Sequence, residues 1–396
     1  MSLPSVNQAV TIDDATYVPR FQLTVDDQRI DPETHADVLG LRVTLQKDDV
    51  GGFELTLSNH FTVLEDKIAD SCGKDTLRTF QYSDDTRFDI LKPIKIEMGY
   101  ADKLRTMFVG EIMTLQPSFP STGAPTMVVR GTDFLGRLRR DKPGKDKTKA
   151  FKDRADWQIV KEVAERHQID FSDKSDTTGS KNVLPVFQKD MDDLQFVLHL
   201  AKLNDFVATI EIDDTTRKPT LYFGKPRDKR DGQAIKQLGL EWGTTLISFT
   251  PTLKVGRMVS KVTVRGWDSR TKAPIEYTAK VEDLAKTSGK GKSGPQWLEE
   301  KAGGKEERIV DWPVTSQAEA KARAIQILHE NANEFLTASG ETIGNPDIRP
   351  LTILNLKGIG KRFNGDYHVI KATHTYGASG YGTTFEVERM REETSC

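Results

Sequence analysis

The side chains best able to do chemistry in this sequence are few. His368 and His374 lie six residues apart in a run that reads as a strand, which places both on one side of it. A metal there needs a third ligand aimed between the rings and further groups to orient them. No Cys lies nearby, and no His-x-Glu or His-x-x-x-His pattern occurs. Imidazoles hydrogen-bonded across a half-buried sheet face are the preferred reading.

Carboxylates come in pairs: Asp13 and Asp14, Asp26 and Asp27, Asp84 and Asp85, Asp213 and Asp214. Two carboxylates that share acid and base work need environments that push their pKa values apart. These pairs fall in polar turns between strands, where Asp bonds the local backbone. The stretch GKGKSG at 289–294 ends like a phosphate-binding loop, but Lys286 stands where the first Gly is required and no buried strand leads in. There is no G-x-S-x-G elbow, and neither Cys72 nor Cys396 sits beside a His in a nucleophile signature. The expectation is therefore no catalytic, cofactor-binding or metal site, and weight moves from enzyme toward scaffold or binding.

The chain that holds these residues has 396 of them, which suggests two to four domains. Its 36% hydrophobic and 29% charged content is that of a globular protein, and no apolar run reaches the roughly 18 residues of a membrane span. The N-terminus lacks the basic head and apolar block of a secretory signal, so the chain is expected to start in the cytoplasm of the cell that makes it. Two distant cysteines fit a reducing site of assembly. A net charge of -2 argues against bulk attraction to nucleic acid or anionic lipid.

The first third reads as antiparallel sheet. Phe21, Leu23 and Val25 alternate with polar residues, as do Leu41, Val43 and Leu45, then Phe53, Leu55 and Leu57, then Ile94, Ile96 and Met98. Residues 48–57 supply a glycine turn between two such runs, and 107–138 hold two more around a Pro and Gly loop. The basic, breaker-rich stretch 139–154 reads as a solvated connector. Two amphipathic helices follow, one with Trp157, Val160 and Ala164 on a face widened by Ile159 and Val163, the other with Leu194, Val197, Leu198 and Ala201. Residues 206–224 read as a hairpin. Further strand runs carry Val262 and Val264, then Ile275, Tyr277, Ala279 and Val281. Residues 285–297 are flexible by composition. Ser316 and Glu319 then stand in capping-box spacing, with Val314 placed to staple onto the first turns, and strands close the chain through Phe385 and Val387. The two halves share one plan, a strand set interrupted by a partly helical segment.

Four stretches taken in order carry a resemblance: 108–138, with Gly110 and Asp133; 189–210, with Leu194; 261–271, with Gly266 and Trp267; and 343–390, with Asn345, Pro346, Pro350, Gly365, Tyr367 and His374. Together, from about residue 16 to 391, they resemble the phage late control gene D family, hub proteins of contractile tail baseplates related to the N-terminal part of type VI secretion spike proteins. The eleven named residues would be structural members of that family's motifs.

The resemblance implies a mainly β fold with α+β insertions, two tube-forming β-barrel domains per chain, and a pseudo-sixfold ring in a homotrimer. The boundaries it implies are a first barrel at 1–140 completed by strands near 206–236, and an α/β insertion with two helices at 141–205. The second barrel would begin at 237–282, be interrupted by a flexible loop and helical insertion at 283–342, and close at 343–396. Asn345 to Pro350 would be the turn into the closing strands and Gly358 to Gly365 the bend between them. One departure stands out: Leu351 occupies a place where the family usually has Gly, so a different local turn is expected there.

The implied role is a trimeric adaptor, without enzyme activity or cofactor, between the hexameric inner tube and a trimeric spike. Implied partners are a separate spike protein, the tail tube or a tube initiator protein and baseplate wedge proteins, with tape measure protein or cargo in the lumen and no specific nucleic-acid site. It would be made in the bacterial cytoplasm and assembled into a virion tail baseplate or injection-system particle. The alternatives are a tail-associated peptidoglycan hydrolase, with acids among the Asp pairs, and a glycan-binding tail protein.

Overall fold

The computed structural model describes residues 18–393 except 64–77, 102, 140–148, 180, 183–184, 189, 205, 213–217, 226–228, 231–232, 235–236, 269–270, 285–290, 311–313 and 315. Both cysteines, Asp13 and Asp14, Asp213 and Asp214, most of the 139–154 connector and the start of the GKGKSG stretch thus lie outside the described residues.

The alternating runs of the first third form strands β1 (Pro19–Val25), β2 (Val38–Gln46), β3 (Gly52–Ser58), β4 (Pro93–Tyr100), β5 (Lys103–Ser118) and β6 (Thr126–Asp133). All but β5, whose register shifts break its alternation, put every second side chain inward along most of their length, as a pleated strand does. Phe21, Leu23, Leu41, Val43, Leu55, Leu57, Ile94 and Ile96 accordingly meet in one core.

The first insertion follows β6. It contains helix α1 (Asp156–Arg166), helix α2 (Asp193–Leu203) and the hairpin β7 (Val207–Ile212) and β8 (Pro219–Gly224). The expected helix faces are the packed ones: Ile159, Val160, Val163 and Ala164 meet Leu194, Val197 and Ala201, while Trp157 and Leu198 sit at the margin. The strands expected to complete the first barrel do not join it. β8 pairs with β7 and, in parallel, with Asp170–Phe171. The reason is their apolar face: Ala208, Leu221 and Phe223 are buried in one core with the two helices.

After the insertion come β9 (Gln237–Glu241) and β10 (Leu246–Leu253). Strands β11 (Lys261–Asp268) and β12 (Ala273–Lys280), expected in the second barrel, instead form a small sheet with β13 (Glu306–Ile309). Helix α4 (Gln317–Asn333) covers it, with Ala320, Ala324 and Leu328 against Val262, Val264, Ile275 and Ala279. Ser316 caps α4 by accepting the Glu319 amide at 3.2 Å, and Val314 is buried at its start. Within the stretch expected to be flexible, Ser293 and Gln296 form a reciprocal capping box that opens helix α3 (Gly294–Ala302). That capped terminus is satisfied by its own side chains, which removes the phosphate-loop reading of GKGKSG.

The closing strands are β14 (Leu336–Ile343), β15 (Ile353–Lys357), β16 (Gly365–Gly377) and β17 (Gly380–Arg389). β14 thus belongs to the strand set rather than to the second insertion. Around a second core the strands run β9-β15-β16-β17-β14-β10, and a bridge between Trp242 and Leu246 brings the ends of that path together. β16 also pairs with β2, from Lys371 opposite Gln46 to Gly377 opposite Gly40, so both halves belong to one thirteen-stranded sheet. The sheet is otherwise antiparallel except where β9 runs parallel to β15.

Candidate functional site

Eight of the eleven residues singled out in the sequence gather in three places, the largest group at the junction of the two strand sets. β16 is the hinge of that junction: Gly365 to His368 pair with β15 and Lys371 to Gly377 with β2. Between them a bulge at Ile370 breaks the register against β17. A bulge inserts one residue and therefore swaps the faces beyond it. Tyr367 and Val369 point inward before it, and Ala372 and His374 after it. His368 and His374 consequently lie on opposite faces, which corrects their expected alignment. No cluster of three metal-type side chains occurs among the described residues.

His374 is fully buried, and its ring is fully engaged. Nε2–H donates to the Ile348 carbonyl at 3.0 Å, which fixes the tautomer and leaves Nδ1 to accept. Nδ1 receives hydroxyls from Tyr381 at 2.9 Å and Thr383 at 3.1 Å. Burial, with the Arg349 charge as a lesser cause, lowers its pKa to about 3, so the ring is neutral at neutral pH. With both nitrogens committed, it has none to offer a metal or a substrate.

Its bond to Ile348 ties it to the turn of Asn345, Pro346 and Pro350. The Asn345 amide donates to Thr383 Oγ1 at 2.9 Å, and the Asn345 side chain accepts the Asp347 amide at 3.0 Å. Arg349 spans the junction: Nε donates to the Pro346 carbonyl at 3.0 Å and Nη2 to the Thr106 carbonyl of β5 at 2.8 Å. Arg105 pairs with Asp347 at 3.0 Å, and Tyr100 donates to the Gly344 carbonyl at 2.7 Å. Leu351 takes φ 73°, the left-handed conformation a Gly would adopt, and its amide bonds Val369 at 2.8 Å. The expected change of turn is therefore corrected: the surroundings hold Leu in the glycine geometry.

The second group lies at the end of the closing strands. Tyr367 is buried, donates to the Phe363 carbonyl at 2.6 Å and lies under the Arg389 guanidinium at 5.0 Å. Arg389 and Glu392 are fully buried; Arg389 donates to the Asn364 carbonyl at 2.8 Å, and Glu392 accepts from Trp297 at 2.9 Å and Arg362 at 2.7 Å. Gly365 has φ 116°, and a Cβ there would meet Glu393 at 2.5 Å.

Gly110 and Asp133 are direct cross-strand partners. A Cβ on Gly110 would reach the Thr132 carbonyl at 2.1 Å. Asp133 accepts the amides of Gly51 at 2.8 Å and Leu135 at 3.0 Å, tying β6 to the turn before β3 and to the first insertion. Burial pushes its carboxyl up to about 7 despite these amides. The remaining motif residues are scattered: Leu194 is in the first insertion's core, Gly266 abuts Val314, and Trp267 is 58% exposed.

The described Asp pairs are turn residues: Asp26 and Asp27 have φ 51° and 59°, Asp84 accepts the Phe80 amide and Asp85 caps a short helical turn. Several engaged polar groups escaped the sequence reading. Buried Asp193 accepts from His167 at 2.7 Å, Arg166 at 3.0 Å and Gln188 at 2.7 Å, and Glu111 pairs with Arg137 at 2.5 Å. Only Arg389 left a signal, a charge continuing the buried alternation of Phe385 and Val387. Each of these groups fixes one element to another, and none converges on a cleft.

The fold is similar to solved structures of tail proteins. A 43 kDa tail protein of prophage MuSo2 from Shewanella oneidensis is 13% identical, with 94% of this chain matched to 98% of that one at a TM-score of 0.62. A tail protein from Neisseria meningitidis is 11% identical over 94% and 97% of the two chains, at 0.63. An Escherichia coli component of the type VI secretion system, described as similar to T4 bacteriophage tail proteins, is 14% identical over 94% of this chain and 76% of its own, at 0.52. No curated protein sequence matches. No helix among the described residues is long and apolar enough to cross a membrane. The family described as the Alg8 N-terminal domain matches residues 65–377, and the chain belongs to that family.

Proposed function

We propose that this chain is a structural subunit of a baseplate hub of the late control gene D kind, in a contractile phage tail or a tail-like injection system. Three copies would form a ring whose two strand sets per chain present six similar units to a hexameric tube, while the other end receives a trimeric spike. Wedge proteins would dock outside, and tape measure protein or cargo would lie in the lumen.

The observation that carries this reading is the single sheet running through both halves, in a fold shared along nearly the whole chain with tail proteins. A wall built from backbone pairing needs no active site, and pairing its strands continuously removes most free edges. The sheet face turned away from the cores is polar, with Arg42, Thr373, Thr384, Glu386 and Glu341 along it, and Lys371 neutralises Glu386 at 2.9 Å. Such a face suits passage of a tube's contents without adhesion.

Deleting the chain from a producing cell tests the proposal. The expected result is loss of complete particles, restored by supplying the chain in trans; intact contractile particles without it would contradict the hub role.

A further inference from the structure

We propose that the turn at Asp89–Lys92 is a docking knob for a second copy of this chain, seated against that copy's turn at Lys254–Arg257. The contact rests on the ring reading above and names residues that would join neighbours.

The Lys92 amide bonds the Asp89 carbonyl at 3.3 Å, closing a four-residue turn with Ile90 and Leu91 at its centre. Leu91 has φ 66° at the position where such a turn calls for Gly. A leucine held left-handed costs stability unless its side chain recovers it by burial. Here it does not, for Leu91 is 51% exposed and Ile90 46%. The Leu91 amide bonds the Ile112 carbonyl at 2.8 Å, which sets the turn beside Met113, itself 38% exposed. The result is a small apolar knob whose left-handed leucine leaves about half of its side chain exposed.

Its rim is acidic. Asp89 spends one oxygen on the Ile90 amide, neither Asp89 nor Asp27 meets a cation among the described residues, and neighbouring Asp26 faces Lys92 at 3.8 Å. The partner surface must therefore be apolar with a basic rim. Among the exposed large hydrophobic residues described, Val255 alone has cations on both sides, Lys254 next to it and Arg257 two residues on. Neither cation has an anionic partner among the described residues, and the Met258 amide bonds the Val255 carbonyl at 3.1 Å to project this turn. The two surfaces differ, so the contact is heterologous and closes into a ring when the rotation permits.

The test pairs thermal unfolding with light scattering of the purified chain over a concentration series. Leu91→Gly relieves the strain and removes the knob, so it should raise the folded-to-unfolded ratio roughly fivefold and weaken self-association about tenfold or more. Asp89→Lys should weaken association too, and adding Lys254→Glu should restore it. Wild-type chain that stays monomeric at the highest concentration, a Leu91→Gly chain that associates like wild type or is less stable, or a charge swap that restores nothing would each overturn the contact. The hub reading fails separately, through intact particles formed without the chain.

Discussion

Leu351 and Leu91 have nearly the same backbone geometry, φ 73° and 66°, in opposite surroundings. Leu351 ends the junction turn, where its amide is bonded to Val369, and the preceding residues are tied to two other strands, Arg349 to Thr106 of β5 and Ile348 to His374 of β16. Leu91 sits on an exposed turn held by backbone bonds, its amide to the Ile112 carbonyl and the Ile112 amide to the Lys92 carbonyl. The same backbone geometry is thus held by side-chain and backbone bonds inside the junction, and by backbone bonds on a half-exposed turn at the surface. Strain persists where surrounding contacts enforce it or where function uses it, and the two turns separate these cases.

Acid should break the junction side of this comparison most strongly. His374 is neutral when folded with its pKa lowered to about 3, against about 6.5 when unfolded. The unfolded chain therefore binds the extra proton first, and the contribution present above about pH 6.5 is lost as pH falls toward 3. At about 1.4 kcal/mol per unit the loss is on the order of 4 to 5 kcal/mol. Between pH 7 and 4 about 3 kcal/mol of it should appear as the difference between the denaturant unfolding of the wild-type chain and of His374→Gln, a comparison that cancels the opposite contribution of Asp133, whose carboxyl is raised to about 7. Arg349→Ala leaves the Pro346 and Thr106 carbonyls without their donor and should cost about 2 to 3 kcal/mol, measured by the same titration.

Smaller changes sharpen the contrast. Leu351→Gly should relieve strain but give up the packing of a half-buried side chain, leaving a net change within about 1 kcal/mol by thermal melt. Leu91→Gly gives up less packing, with Leu91 51% exposed, and should stabilise by about 1 kcal/mol. If the two substitutions behave alike, the distinction between an enforced and an exposed strained turn fails.

Much of this frame was legible in the sequence. The runs at Phe21, Leu41, Phe53 and Ile94 bury the residues their alternation marks, because period two needs only the local pleat. The Ser316 cap is local too. What stayed hidden depends on distant partners. Nothing in Val262 or Leu221 says which sheet they join, since both the insertion sheets and the large sheet offer an apolar face. Pairing β16 with β2 spans more than 300 residues by their numbering and leaves no local mark. The bulge at Ile370 reversed the His368 expectation because strict alternation was assumed through it. At the junction, Asn345, Pro350 and His374 were found by motif; Arg349 was not, because its partner Thr106 lies in the other half.

The most direct test of the account is cryo-electron microscopy of the tail tip in particles from the producing cell. The hub reading predicts three copies of this chain between tube and spike, their strand sets arranged as six similar units around a channel. Density for the chain at another place on the particle, or in a number other than three, would contradict it.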